Sequence, residues 1–429
     1  MISEKGFYKN NRKLYIVEAA VEYFISLLIT GAFLATVLKQ IGVPDSVAGI
    51  TSALASFGYS AQLVVVLLIR PGKKIKRYIT YMHLANQLMF SFLYLIPFIY
   101  IPSTVKIALF IIMFLGGHLL SHLAMPFKLS YLMGFVDDGS RGKFTANKEI
   151  VSLIGGMAFS FLMGWIIDHF KEIGKDETGF VLAGITIFIL ALIHLATLVF
   201  TKDDKEKLIF ENDEKPSVKN VLEFTLFDKR MNKIILLDII WHFGSGLSIS
   251  FFGTYTTNDT ELAFSLTAVA IITALGTLSR VFVSRYFGSF ADKYGFAKML
   301  TLSFGIGALA FLINSFSSVG IFRYFYVAYT IIYAVFMAGA NSGLTNIVFD
   351  YTSVSHRSYA LGVKSALGGF SGFLASLIGA KILETIQQNG NTLLGFHIYA
   401  QQVLSFLTFV VYVVNIIYIK TVIEKMKRE

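Results

Sequence analysis

The sequence predicts an all-α integral membrane protein, with twelve transmembrane helices in two pseudo-symmetric six-helix bundles. Three observations predict it. Of the 429 residues, 55% are hydrophobic and only 15% are charged, with a mean hydropathy of +0.66, a balance foreign to soluble domains. Apolar runs of about 18 residues or more recur from residue 14 almost to the C-terminus, each long enough to cross a hydrocarbon core of roughly 30 Å. The first half of the chain can also be laid on the second at one constant offset.

In chain order the spans fall near 14–38, 46–69, 78–100, 105–127, 149–171, 179–200, 233–255, 262–285, 298–316, 322–348, 359–385 and 396–419. The tail 1–13, MISEKGFYKNNRK, lacks a short apolar core followed by a small-residue cleavage site, so span 1 is expected to remain as an anchor. Residues 14–200 then form the N-terminal bundle and 233–419 the C-terminal bundle. Between them, 201–232 is the longest polar interval and reads as a cytoplasmic loop; 420–429 is a cytoplasmic tail. Placing both termini in the cytoplasm puts all but six of the 37 Lys and Arg inside, the exceptions being Lys39, Lys106, Lys171, Lys175, Arg323 and Lys381. That asymmetry satisfies the positive-inside rule, supports an even number of spans and fits a multi-pass protein of the cell membrane.

The net charge of +10 therefore carries no nucleic-acid signal, because the basic residues are spread over loops and tails that face anionic headgroups. No nucleic-acid partner is expected. The chain has no cysteine, which excludes disulfides, thiolate metal sites and cysteine nucleophiles.

An offset of 216 positions aligns Gly72 with Gly288, Arg77 with Lys293, Tyr78 with Tyr294, Arg141 with Arg357, Lys148 with Lys364 and Gly156 with Gly372. Glu22 also falls on Asp238. Matching glycines, basic residues and a membrane acid at one offset indicates two homologous six-helix halves.

Between spans 8 and 9 stands GSFADKYGFAK, Gly288 to Lys298. It resembles the signature loop of the major facilitator superfamily, G-x-x-x-D-[RK]-x-G-[RK]-[RK], and the six-plus-six layout resembles that superfamily over nearly the whole chain. The segments RGKFTANKEIVSLIGG and HRSYALGVKSALGGFSG look like that family's loops before spans 5 and 11. Physically, Gly288 would allow two helix ends to approach and Gly295 a tight turn, while Asp292 could accept backbone N–H groups at a helix N-terminus. Such a contact would latch one access state, with Arg77, Arg141, Arg280, Lys293 and Arg357 as accompanying gating residues. The first-half copy departs from the pattern, carrying Lys76 where the second half has Asp292. The latch is thus expected to be stronger in the second half, with the first-half loop holding anionic lipid.

Charged groups near a bilayer centre are costly, so they face a partner or a water-filled cavity. Span 1 holds Glu18 and Glu22, span 7 holds Asp238 and His242 beside Trp241, and span 4 holds His118 and His122. Each pair is spaced i, i+4 and so shares a helix face. Span 10 adds Asn341, Ser342 and Asn346. In the superfamily's arrangement spans 1, 4, 7 and 10 line a central cavity, so the resemblance implies that these groups converge there. Glu22 and Asp238 are the leading candidates for proton coupling, since a neighbouring carboxylate or imidazole tunes protonation. Blander readings exist: Glu18 snorkelling to the cytoplasmic face, Asp238 and His242 as a structural pair, His118 and His122 bonding neighbouring helices, and Arg280 as a helix-end residue. Asn86 and Gln87 of span 3 read as packing polars.

No enzyme is expected. HLLSH has the histidine spacing of a zinc helix but lacks the glutamate that follows the first His, and no third ligand is evident. Neither a nucleophile elbow nor a P-loop occurs, which leaves an ion gradient, H+ foremost, or the solute's own gradient as the energy source rather than a cofactor. Spans 4 and 5 lack the embedded arginine and the G-x-x-x-G-P-x-x-G-G run of the family's drug/proton antiporters. Without an intramembrane cation cluster, an anionic solute is disfavoured. The expected function is secondary active transport of a small polar solute, neutral or cationic, such as a sugar, by a monomer, with efflux antiport as one alternative. A receptor or lipid translocator that turns over no soluble substrate is the alternative of another class.

Overall fold

A computed structural model describes residues 4–68, 75–133, 135–136, 141–202, 217–258, 261–352, 357–393 and 395–426, and they are almost entirely helical. The chain runs through α1 (Glu4–Leu28), α2 (Gly31–Ile41), α3 (Asp45–Gly58), α4 (Ala61–Leu68), α5 (Ile75–Leu93), α6 (Ser103–Met133), α7 (Arg141–Glu172) and α8 (Asp176–Phe200). It continues through α9 (Val218–Thr225), α10 (Lys229–Ser248), α11 (Phe252–Thr257), α12 (Leu266–Tyr294), α13 (Phe296–Asn314), α14 (Tyr324–Phe349), α15 (Arg357–Gln388) and α16 (Ala400–Tyr418). Among the described residues the strands are β1 (Thr392–Leu393) and β2 (Phe396–His397), an antiparallel hairpin between α15 and α16.

Among the described residues ten helices are long and apolar enough to cross a membrane, and an eleventh span forms if α1 and α2 are joined across their 43° bend. The bend has an identifiable cause. Gly31 adopts φ +56°, and the Leu28 carbonyl freed at the break accepts a 2.6 Å hydrogen bond from the buried Tyr94 hydroxyl. The remaining predicted span, 78–100, corresponds to α5, which falls short in apolarity because His83, Asn86, Gln87 and Ser91 lie on its buried side. These polar groups face protein and not lipid, so low hydropathy here marks a helix with internal partners.

The duplication is visible in the helix bounds. Helices α7 and α15 are both 32 residues long and begin at Arg141 and Arg357, the pair aligned by the repeat; α6 and α14 end at the equivalent positions Met133 and Phe349.

Two compact units result. The first comprises Met1–Gly42 and Val64–Lys215, with α1 packed on α7 and α8 and α5 on α6 and α8. Its buried cluster includes Tyr15, Ile79, Tyr131, Leu132 and Leu198. The second comprises Val43–Leu63 and Pro216–Glu429, so α3, the first part of the second predicted span, packs with the C-terminal helices against α15. There α10 lies on α15 and α16, and α14 on α12 and α13, around Phe304, Phe311, Phe336 and Tyr412, whose rings sit 5.0–5.4 Å apart. Small residues set the closest approach: a side chain at Gly246 of α10 would collide with the Gly372 carbonyl of α15.

Large apolar side chains such as Ile112, Phe161, Phe188 and Phe282 are exposed, as a lipid-facing surface requires. The central polar interval contains a short helix, α9, whose N-cap Ser217 accepts from the Asn220 N–H and which buries Val221 and Thr225.

Candidate functional site

In the first unit, α1 presents Glu18 and Glu22 one turn apart, and both reach one ammonium. Lys128 Nζ of α6 lies 3.0 Å from Glu18 Oε1 and 2.5 Å from Glu22 Oε2. Lys128 and Glu18 are buried, whereas the Glu22 side chain keeps 31% of its exposure. His194 of α8 donates from Nε2 to Glu18 Oε1 at 2.8 Å, and the Gln87 amide of α5 meets its other ring nitrogen. His83 of α5 stands 3.8 Å from Glu22 Oε1. The cluster therefore holds two carboxyls against one lysine.

In the second unit Asp238 of α10, fully buried, accepts from Lys364 Nζ of α15 at 2.8 Å. His242 Nδ1 lies 3.3 Å from the other carboxylate oxygen and 3.0 Å from the Asp238 carbonyl, and its ring packs 4.3 Å from Trp241. Lys364 also donates to the Leu344 carbonyl of α14 at 3.2 Å. Gly368, one turn beyond Lys364, has no room for a side chain: a Cβ there would stand 2.6 Å from His242 Nδ1 and closer still to Asp238.

The repeat relates the two clusters but not their cations. Glu22 and Asp238 are equivalent, as are Lys148 and Lys364, yet Lys148 points at Tyr15, 4.7 Å above its ring and 3.4 Å from its hydroxyl. The first unit takes its ammonium from Lys128 instead. The position equivalent to Lys128 is Leu344, whose carbonyl receives Lys364, so the ammonium comes to corresponding places from different helices.

Several expectations change here. Cations do sit beside the membrane acids, Lys128 and Lys364, contrary to the expected lack of an intramembrane cation cluster. Glu18 is turned into the bundle and does not snorkel. His118 packs 5.1 and 4.6 Å from the rings of Phe90 and Phe114 and 6.5 Å from His122. In the first unit the histidines beside the acids are His194 and His83, and Gln87 is a member of the network. Asn346 donates to the Ser342 carbonyl and hydroxyl of its own helix, while Asn341 is exposed. Among the described residues no three of His, Asp and Glu are placed to hold a metal ion.

The signature loop is mostly helix. Helix α12 continues through Gly288, Asp292 and Lys293 to Tyr294, and Gly295 alone, at φ +88°, turns the chain into α13. Space around Gly288 is open, so no close approach occurs there, and Asp292 and Lys293 are exposed in the last turn. Arg280 is half-way along α12, beside Tyr333, and is not at a helix end. Arg77 is exposed on α5; Gly72 and the side chains of Arg141 and Arg357 lie outside the described residues.

Lys76 has its own anchor. Its ammonium donates to the carbonyls of Val199 and Thr201, at 3.0 and 2.6 Å, and so caps the C-terminus of α8, the end of a helix that attracts a cation. Its ammonium is thus engaged by protein, while residues 69–74 of the loop expected to hold lipid lie outside the described residues. Asn11 ties the same end through reciprocal bonds with Lys202, 2.9 and 3.1 Å. Lys76→Ala is expected to cost about 1 kcal/mol by uncapping these carbonyls, and Lys76→Asp more, because a carboxylate would face them. Thermal unfolding in detergent checks both; equal stability of the two variants would contradict the cap.

The MFS_1 like family matches residues 23–390. No curated protein matches the chain by sequence. Among solved structures, a mutant form of the nucleoside transporter NupG aligns with a TM-score of 0.71 at 15% identity, over 96% of this chain and 99% of that one. A D-xylose-proton symporter aligns with a TM-score of 0.70 at 12% identity, over 95% and 97%. An auto-inhibited POT family peptide transporter gives 0.69 at 10%, over 98% of both chains. At these identities the likeness is one of fold.

Proposed function

The chain belongs to the MFS_1 like family of membrane transporters, and on that premise we propose that it moves a small polar solute, neutral or cationic, by alternating access coupled to protons. One observation carries the coupling: Glu18 and Glu22 share the single ammonium of Lys128, and the second acid is the accessible one. Two carboxylates one turn apart share the ammonium of Lys128, and a proton on Glu22 would relieve their mutual repulsion. A proton there frees Lys128 to pair with Glu18 alone, so the network has two arrangements that differ by one proton, the bistable element that coupling needs. In the second unit Asp238 is already matched by Lys364, which suits a positioning role. Both buried lysines are committed to acids, and this supports a neutral or cationic solute over an anion.

Structural relatives carry nucleosides, D-xylose and peptides, so radiolabelled uridine, D-xylose and a neutral dipeptide are suitable first probes. In proteoliposomes an inward proton gradient is expected to drive accumulation of one of them. Glu22→Gln is expected to lose that accumulation by tenfold or more while retaining exchange of internal for external solute. Accumulation unchanged in Glu22→Gln would sink the assignment; loss of solute against the same gradient would indicate efflux antiport.

A further inference from the structure

We infer that Glu261 is a proton-binding site that controls the packing of the end of the second unit where α12 begins. The inference is independent of the Glu22 assignment. Glu261 follows α11 and is buried, 3% exposed, with its Oε2 lacking any hydrogen-bond partner. Every other buried carboxylate described above has an ammonium within 3.0 Å; Glu261 has none among the described residues.

The groups facing it come from four helices and their ends. From α3, Asp45 supplies a second carboxylate, and from α16 the fully buried Gln401 lies against Glu261 with neither side-chain polar atom otherwise partnered. Tyr255 of α11 and Tyr399, next to α16, complete the ring of titratable neighbours, with Tyr326 of α14 behind them. Tyr255 is occupied in donating to the Ser317 carbonyl, 2.7 Å. Arg323 lies over the rings of Phe264 and Tyr324, at 5.5 and 5.6 Å. His397 packs on the ring of Tyr399, and Lys381 of α15 pairs with Glu384. Asp259, two residues before Glu261, lies outside the described residues.

The two acids are treated differently. Asp45 sits in the first turn of α3, where the helix dipole favours an anion, and its Oδ2 accepts from Gln387 at 3.0 Å and Asn258 at 3.3 Å. Those amides are spent on Asp45. Glu261, buried beside that anion, gains most by becoming a neutral acid that can donate. Burial first, then the Asp45 carboxylate, push its carboxyl from 4.5 up to about 8, against the pull of Gln401. A raised carboxyl value means that the packed form holds a proton which an open, solvated form releases above 4.5. Packing is therefore firmest at low pH, weakens across that window and is lost as pH rises through about 8. With the orientation expected from the loop charges, this end faces the cell exterior, where it would sense the outer pH.

Hydrogen exchange, corrected for its intrinsic pH dependence and followed in peptides covering 252–264 and 399–405, tests the site. Protection in the wild type is expected to fall by up to tenfold per pH unit between about 4.5 and about 8, the slope of one proton released on opening, and to level off above pH 8. Glu261→Gln, which mimics the neutral acid in nearly the same volume, is expected to stay protected at all pH values. Asp45→Asn is expected to shrink the fall, because without the neighbouring anion Glu261 ionises at lower pH in the packed form and the window over which opening releases a proton narrows. Wild-type pH dependence in Glu261→Gln would overturn the inference, as would restoration of protection above pH 8 by sodium but not by choline, which would make this a metal-cation site.

Discussion

Lys128→Met is expected to lower the stability of the detergent-solubilised protein by about 3–5 kcal/mol, the loss typical of breaking a buried ion pair from one side. The reason is the charge count. Glu18 is buried, receives Lys128 at 3.0 Å and His194 at 2.8 Å, and its Oε2 already lacks a partner. Removing the ammonium leaves that carboxylate with His194 as its hydrogen-bond partner and removes the cation that offsets its repulsion with Glu22, a turn away. Methionine fills nearly the same volume, so the cost reports charge and not a cavity. Adding Glu18→Gln and Glu22→Gln to Lys128→Met is expected to return most of the loss, since no charge then remains to be paired. Thermal or denaturant unfolding of the single and triple variants distinguishes the outcomes. A single variant that unfolds like the wild type would show that the network contributes no stability.

In the second unit the comparable expectation concerns Asp238 and Lys364. Each single change, Asp238→Asn or Lys364→Met, strands the other partner in a site with 0% exposure at the acid, and a cost of about 3–5 kcal/mol is expected from each. The double variant is expected to be much less damaged than the sum, with a coupling of about 2 kcal/mol or more in the double-mutant cycle. Gly368→Ala provides an independent route to the same pair. Its Cβ would intrude between His242 and Asp238, so α15 must withdraw and the 2.8 Å contact with Lys364 must lengthen. Additive single effects, or a Gly368→Ala protein as stable as the wild type, would separate this pair from the packing of α10 on α15.

The two clusters also clarify what duplication preserves. Glu22 and Asp238 remain equivalent while the cations come from α6 in one unit and α15 in the other. What the halves share is an acid turned inward and an ammonium delivered to it; the helix that delivers it has changed. The hinge positions diverged similarly: Lys76 serves a helix C-terminus, whose carbonyls attract a cation, whereas Asp292 at the corresponding position is exposed and makes no hydrogen bond or ion pair among the described residues.

By itself the sequence determined the properties that depend on composition and on near neighbours. Apolar run length yields the membrane helices, loop charge their expected orientation, and the constant offset the paired bounds of α7 and α15. Spacing of i, i+4 places Glu18 with Glu22 and Asp238 with His242, because a helix returns to the same face within four residues. Gly295 is legible as a turn for the same local reason. Tertiary structure alone decided the partners. Lys128 and Glu22 are 106 residues apart, Lys364 and Asp238 126, His194 and Glu18 176, and which of these meet depends on how each helix is rotated about its axis when it packs. A lysine near a helix end, such as Lys128 or Lys76, looks the same in sequence whether it reaches lipid headgroups, a buried acid or the carbonyls of another helix. Glu261 was hidden for the same reason: only the packing of four helix ends around it shows a loop glutamate to be buried beside a second acid and without a cation.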